Sequence, residues 1–220
     1  MLAWALFLIE NILLTGLVLS AGHLFLKKRG HRETLQSNSR EWLICGLTNG
    51  LNTVVTYTGY WLWQRHIIVI HMDVSWRVLT DLLLLFFAMD LLMYLFHWLI
   101  HHTTLYDIIH ELHHQAIDPR PMDLFILHPL ETLSFGALWL TLLVVYPFNV
   151  YAILIYLVVN LIFGLTGHLG IEPLPARLHT YPLIKYLGTS TFHHNHHKNR
   201  HYNFGFYTSL WDRLFGTYQH

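Results

Sequence analysis

Three short stretches carry the chemistry open to this chain: "HWLIH" at 97–101, "HELHH" at 110–114 and "HHNHH" at 193–197. His97 and His101 stand four apart, which on a helix puts both imidazoles on one face. His110, His113 and His114 occupy i, i+3 and i+4, and His193, His196 and His197 repeat that spacing. Each triplet reads as three rings aimed at one locus. Read differently, His110, Glu111 and His114 form the His-Glu-x-x-His of zinc proteases, with Glu111 as general base. The repeat argues against that reading, because no Glu follows His193 and what recurs is the three-imidazole face. Neutral imidazole ligates iron, zinc or copper. With His168 of "TGHLG" the set reaches nine rings, more than one metal uses. Two metals, ~3.5–4 Å apart or somewhat wider when bridged by water, would take four or five each. The motifs lack the carboxylates of soluble di-iron bundles, so the ligand field is nearly all neutral nitrogen. A reversible zinc carrier or sensor is the non-catalytic alternative.

Other residues have two readings each. His128, in "HPLE", is a ligand, a group behind a ligand, or a helix-start residue before Pro129. Asp90, two turns before His97, and Asp212, in "WDRLFGT", are carboxylates able to accept the outer N–H of a ligating histidine and fix its tautomer. Asp212 is equally a partner for Arg213 or a helix cap, and Glu111 carries the same two readings. His194, between ligand candidates, reads with His23, His31, His66, His71, His102, His179, His201 and His220 as an interface or solvent residue.

The elements that position these side chains are membrane helices. Of 220 residues 54% are hydrophobic and 12% charged, and mean hydropathy is positive, which is not the balance of a soluble domain. Nineteen histidines outnumber both the thirteen basic and the thirteen acidic residues. With zero formal charge and one short basic run, nothing points to nucleic acid. The lone Cys45 excludes an intramolecular disulfide framework and a cysteine-based zinc site.

Met1 to Leu26 is long and apolar enough to cross a hydrocarbon layer of roughly 30 Å. Having neither a basic n-region nor a small-residue cleavage site, it reads as a retained span with its N-terminus outside. Glu10 and Asn11 inside it suit a helix contact as well as a substrate contact. Lys27, Lys28, Arg29 and Arg32 place the next loop in the cytoplasm by the positive-inside rule. Further apolar runs lie at about Trp42–Trp63, Val78–Ile100, Leu130–Phe148 and Val150–Thr166, the last two joined by "YPFN". The expected fold is all-α: a bundle of about four to five passes under a cytosolic, histidine-rich helical cap. Residues 1–77 supply membrane helices and a loop, and residues 78–220 the catalytic region of one integrated domain. Trp61, Trp63, Trp76, Trp98 and Tyr146 fall near span ends, where aromatic belts belong. Counting sides from the lysines and arginines alone brings every histidine box to the cytoplasmic face of an integral membrane protein, in a bacterial inner membrane or the endoplasmic reticulum.

From about Asp90 to Tyr218, these motifs together with "NFGFYTSLWDRLFGTY" resemble the fatty acid hydroxylase/sterol desaturase family of membrane enzymes. The resemblance implies a di-iron centre that activates O2 and hydroxylates or desaturates an unactivated C–H bond of a lipid or sterol. Carried over by position, the metal ligands are His97, His101, His110, His113, His114, His168, His193, His196 and His197. Trp98 stands where the family usually has Arg, and Gly164 where some hydroxylases carry a further His. Asn160 is a candidate to contribute on that side through water. With no flavin or haem fingerprint, electrons are expected from a partner, a cytochrome b5- or ferredoxin-like protein with its reductase. The substrate, a membrane lipid, is expected to enter laterally from the bilayer.

Overall fold

The computed structural model describes residues 1–31, 36–178 and 180–219. Arg32 of the basic cluster, His179 and His220 lie outside them. Five long helices form where the apolar runs fall: α1 (Leu2–Lys28), α2 (Ser39–Gln64), α3 (Arg77–His101), α5 (Pro129–Val145) and α6 (Val150–Gly167). The cap is built of short pieces. A π-helical turn (Tyr106–His110) runs into α4 (Glu111–His114), and a 3-10 turn (Pro121–Phe125) leads to α5. Beyond α6 come two more 3-10 turns, then α7 (Ser190–Lys198) and α8 (Leu210–Phe215). No β-strand occurs among the described residues, only the isolated bridges His71–Asn149 and Leu187–Thr208.

Of the five expected passes, α1, α3 and α6 are long and apolar enough to cross a membrane unaided. At 17 residues α5 spans only about 25 Å. α2 has the length, but its Thr and Asn residues dilute its apolar run. Those polar residues have work between helices: Thr15 donates to Asn49 Oδ1 at 2.8 Å, and Asn11 reaches Thr53. Of the two readings of Asn11, the helix contact is the one realised.

Around the bundle α1 packs on α2, α2 on α5, α5 on α3 and α3 on α6, and α6 returns to α1. Helix starts follow local chemistry. Asn38 and Glu41 form a reciprocal capping box on α2. His128 caps α5 ahead of Pro129, and Asn149 caps α6. At the end remote from the histidines, Asp81 accepts from Tyr146 Oη and Asn149 N, fastening the "YPFN" turn to α3. Gly136 lets α5 sit against α2 so closely that a Cβ there would overlap Val55. The stretch Asn203–Ser209 then folds back between α3 and α6. Asp90 on α3 accepts from Tyr207 N, Thr208 N, Thr208 Oγ1 and Trp211 Nε1, fixing the C-terminal region at helix depth.

Candidate metal centre

The bundle end that carries Lys27 and Lys28 also carries the C-terminal ends of α3 and α6 and the N-terminal end of α5, so the cap gathers what these ends present. α3 brings His97 and His101 in its last two turns. His110 closes the π-helical turn, with His113 and His114 following on α4. His168 is the C-cap of α6, and α7 carries His193, His196 and His197. All nine are brought together and eight are buried, with His101 half-buried.

They form two groups rather than one locus per motif. His97, His101, His110, His114 and His196 make one, and His113, His168, His193 and His197 the other, the ring nitrogens of each lying within 4.8 Å of one another. The expectation that each triplet converges on a single point is corrected here. Residues i and i+4 are only about 40° apart around a helix, whereas i+3 and i+4 diverge by about 100°. Hence His110 and His114 go one way and His113 the other. On α7 the division is reversed, with His193 and His197 in the second group and His196 alone in the first. The two groups abut: the rings of His114 and His197 stack at 4.5 Å.

Hydrogen bonds at the far nitrogens identify the tautomers. His97 Nδ1 donates to Phe204 O at 2.8 Å, His196 Nδ1 to Tyr202 O at 2.7 Å, His168 Nδ1 to Gly164 O at 2.8 Å and His197 Nδ1 to Ala116 O at 2.8 Å. A carbonyl can only accept, so in each neutral ring the proton sits on Nδ1 and Nε2 is a bare lone pair. His110 Nδ1 donates to Glu131 Oε1 at 2.7 Å. His97 Nε2 and His110 Nε2 therefore meet at 3.0 Å with no proton between them. The bare Nε2 atoms of His168 and His197 lie 3.3 Å and 3.1 Å from His193 Nε2. Converging lone pairs repel unless a cation lies among them, so the donor set fits metal ions. Burial, reinforced in most of the rings by neighbouring imidazoles, also resists protonation: His197 is pushed down to about 2, and His113, His114, His193 and His196 also fall. For His110, pushed down to about 3, burial is the cause. Uncharged imidazole is the form that ligates.

The supporting candidates separate. Asp90 touches no imidazole; its four donors are backbone and side-chain groups of residues 207–211. Asp212 accepts from Phe204 N and Gly205 N, holding the turn whose carbonyl receives His97. Glu111 lies on the exposed face of α4, turned away from the rings, which leaves the protease reading without its base. His128 accepts from Leu130 N, and His194 meets Asp118 at 2.7 Å outside both groups. Asn160 accepts from Tyr207 Oη, itself bonded to Tyr156 Oη. The carboxylate that does hold one of the nine rings, Glu131, was not singled out in the sequence. Its signal was there: an acid in the first turn of an apolar helix, three residues after His128, where charge has no reason to be unless paired.

Against the inner face of both groups lies a cavity of about 240 Å³, walled mainly by apolar side chains such as Met93, Phe125, Leu127, Phe135 and Phe206. His97 and His110 of the first group and His113, His168 and His193 of the second line its end.

A family model described as fatty acid hydroxylase matches residues 82–217. Methylsterol monooxygenase 1 of Gallus gallus is 34% identical over 124 residues, covering 56% of this chain and 41% of that protein. Delta(7)-sterol 5(6)-desaturase of Leptosphaeria maculans is 31% identical over 130 residues, covering 59% and 34%. Lathosterol oxidase of Mus musculus is 32% identical over 141 residues, covering 62% and 44%. The chain thus spans less than half the length of these curated relatives. No solved structure matches it.

Proposed function

Because the chain belongs to the fatty acid hydroxylase family, we propose that it is an integral membrane, O2-dependent oxidoreductase with two iron ions, which hydroxylates or desaturates an unactivated C–H of a fatty acyl, sterol or isoprenoid-like lipid. The observation that carries this reading is the convergence of nine neutral imidazoles, five and four, at the inner end of an apolar cavity. When bound, the iron pair supplies the activation of O2 that protein side chains cannot. The division of labour is that residues 78–220 carry this site while residues 1–77 complete the bundle.

The residues of the chain do the rest. The carbonyls of Phe204, Tyr202, Gly164 and Ala116 keep protons on the outer ring nitrogens and the inner lone pairs free. Glu131 does the same for His110, and with a cation among the rings its carboxylate would make the ring a stronger donor. Apolar walls exclude water and accept a hydrocarbon segment beside the rings. The half-buried His101 lies beside Tyr106, whose ring the Arg200 guanidinium covers, and offers the shortest approach for an external electron donor, cytochrome b5-like or ferredoxin-like. Lys27, Lys28 and Arg29 end α1 on the side of the histidines, which supports a centre at the cytoplasmic face by the positive-inside rule.

Two measurements test the reading together. Purified protein is expected to hold two iron ions per chain by elemental analysis and Mössbauer spectroscopy. Lipid profiling of cells making the intact chain or His196→Ala should show an oxygen-dependent lipid product only with the former. Zinc in place of iron, or identical lipid profiles, would refute it.

A further inference from the structure

Helix α2 divides its polar residues between two faces. Asn49 and Thr53, one turn apart, face α1: Asn49 accepts from Thr15 and donates to Cys45 O, and Thr53 donates to Asn49 O while receiving Asn11. Thr48 and Asn52, also one turn apart, lie about 100° around the helix and line the cavity beneath the histidines. Neither side chain is matched. Thr53, Thr56 and Thr58 each bond the carbonyl four residues back, but the Thr48 hydroxyl, 1% exposed, has no partner. Among the described residues the half-buried Asn52 amide makes no side-chain hydrogen bond either, only its backbone carbonyl accepting from Thr56. A buried, unmatched hydroxyl is disfavoured and calls for a partner that arrives from outside. Across the same cavity Glu131 Oε2 is likewise buried and unmatched.

We infer that Thr48 and Asn52 form a specificity site for an uncharged, hydroxyl-bearing lipid, and that by holding its oxygen on the α2 side they determine which carbon reaches the histidine cluster. A hydroxyl both donates and accepts, matching a Thr hydroxyl and an Asn amide, which do the same. Among the described residues no Lys or Arg lines the cavity, so a carboxylate or phosphate head has no counter-charge there. The volume, about eight water molecules' worth, suits the reacting portion of a lipid rather than a whole diacyl lipid. The inference rests on the cavity being the substrate site of the proposed oxidoreductase.

The test is competitive binding to the full chain, iron-loaded and reconstituted in phosphatidylcholine nanodiscs, using two matched pairs: octadecan-1-ol against octadecane, and cholesterol against cholestane. Wild-type protein is expected to prefer the alcohol of at least one pair by roughly tenfold or more. Thr48→Val, which keeps shape and loses the hydroxyl, and Asn52→Leu should bring that ratio toward one, while Thr48→Ser restores it, all with iron content unchanged. No preference in the wild type, no binding of either pair, or a ratio unmoved by both variants overturns the inference. Because binding is read without turnover, a retained alcohol preference in protein that never takes up iron supports this site and counts only against the oxidoreductase reading.

Discussion

Replacing Glu131 should weaken one metal site and spare the other. Its Oε1 accepts the His110 Nδ1 proton at 2.7 Å, and both side chains are almost wholly buried. A hydrogen bond to a charged group contributes ~1.5–3 kcal/mol, and 1.4 kcal/mol is tenfold in affinity, so losing it weakens metal binding roughly 10- to 100-fold. That agrees with the loss usual for a carboxylate behind a ligating histidine. Glu131→Gln keeps an acceptor without the charge and should sit near tenfold; Glu131→Leu leaves Nδ1–H unmatched and should approach 100-fold. Since His110 belongs to the five-histidine group, that group alone should lose metal as chelator is titrated, giving a half-loaded protein. The assay is iron per chain against chelator concentration, with Mössbauer spectra at each plateau and thermal unfolding to separate affinity from folding. Equal loss from both sites at unchanged thermal stability, or no loss in Glu131→Leu, would refute the assignment of Glu131 to a single cluster.

Three further expectations follow from the geometry. His194→Ala should retain full metal stoichiometry because that ring meets Asp118 outside both groups, whereas His193→Ala should lose metal from the four-histidine group; elemental analysis separates them. Asp90→Ala strands four donors and should cost ~3–5 kcal/mol of stability, read as a fall in unfolding temperature; a change under about 1 kcal/mol would contradict the fastening role of Asp90. Metal-free protein should lose stability in acid. The folded state holds His110 at about 3 and His197 at about 2, against ~6.5 when unfolded, so below pH ~6.5 the unfolded chain binds protons the folded one refuses. Stability is then fully present above that pH and falls by up to ~1.4 kcal/mol per pH unit for each such ring as pH drops; an unfolding temperature that is flat from pH 7 to 5 would contradict this.

Much of the site was legible because histidine spacing is a local signal: all nine ligand candidates come from i, i+3 and i+4 rules plus a count of membrane sides. The helix positions were legible because apolar runs bounded by charge or by "YPFN" leave few alternatives. What escaped was non-local. Nothing near His110 announces Glu131, 21 residues on, and Asp90 looked available to His97 until the 207–211 segment claimed all its accepting capacity. The partition of each triplet also escaped, because spacing says which rings share a helix face but not that two centres lie so close that one face serves both. In α2 the Thr and Asn residues lowered its apolarity, and only the structure separates those bonded to α1 from those turned to the cavity.

The crossed sharing of ligands bears on how the protein comes to be folded at all. α4 has four residues and α7 nine, lengths at which a helix in isolation is not stable. Each nevertheless sends rings into both groups, so the five-histidine group needs α3, α4 and α7 together, and the four-histidine group needs α4, α6 and α7. The long apolar helices can insert first without metal. A metal bound in either group would draw at least three of these elements together at once, so metal capture adds directly to cap closure, as it does in small zinc domains. Under the proposed function, metal supply would then tighten the cap after the long helices are in place, drawing together short helices that the bundle alone holds less firmly.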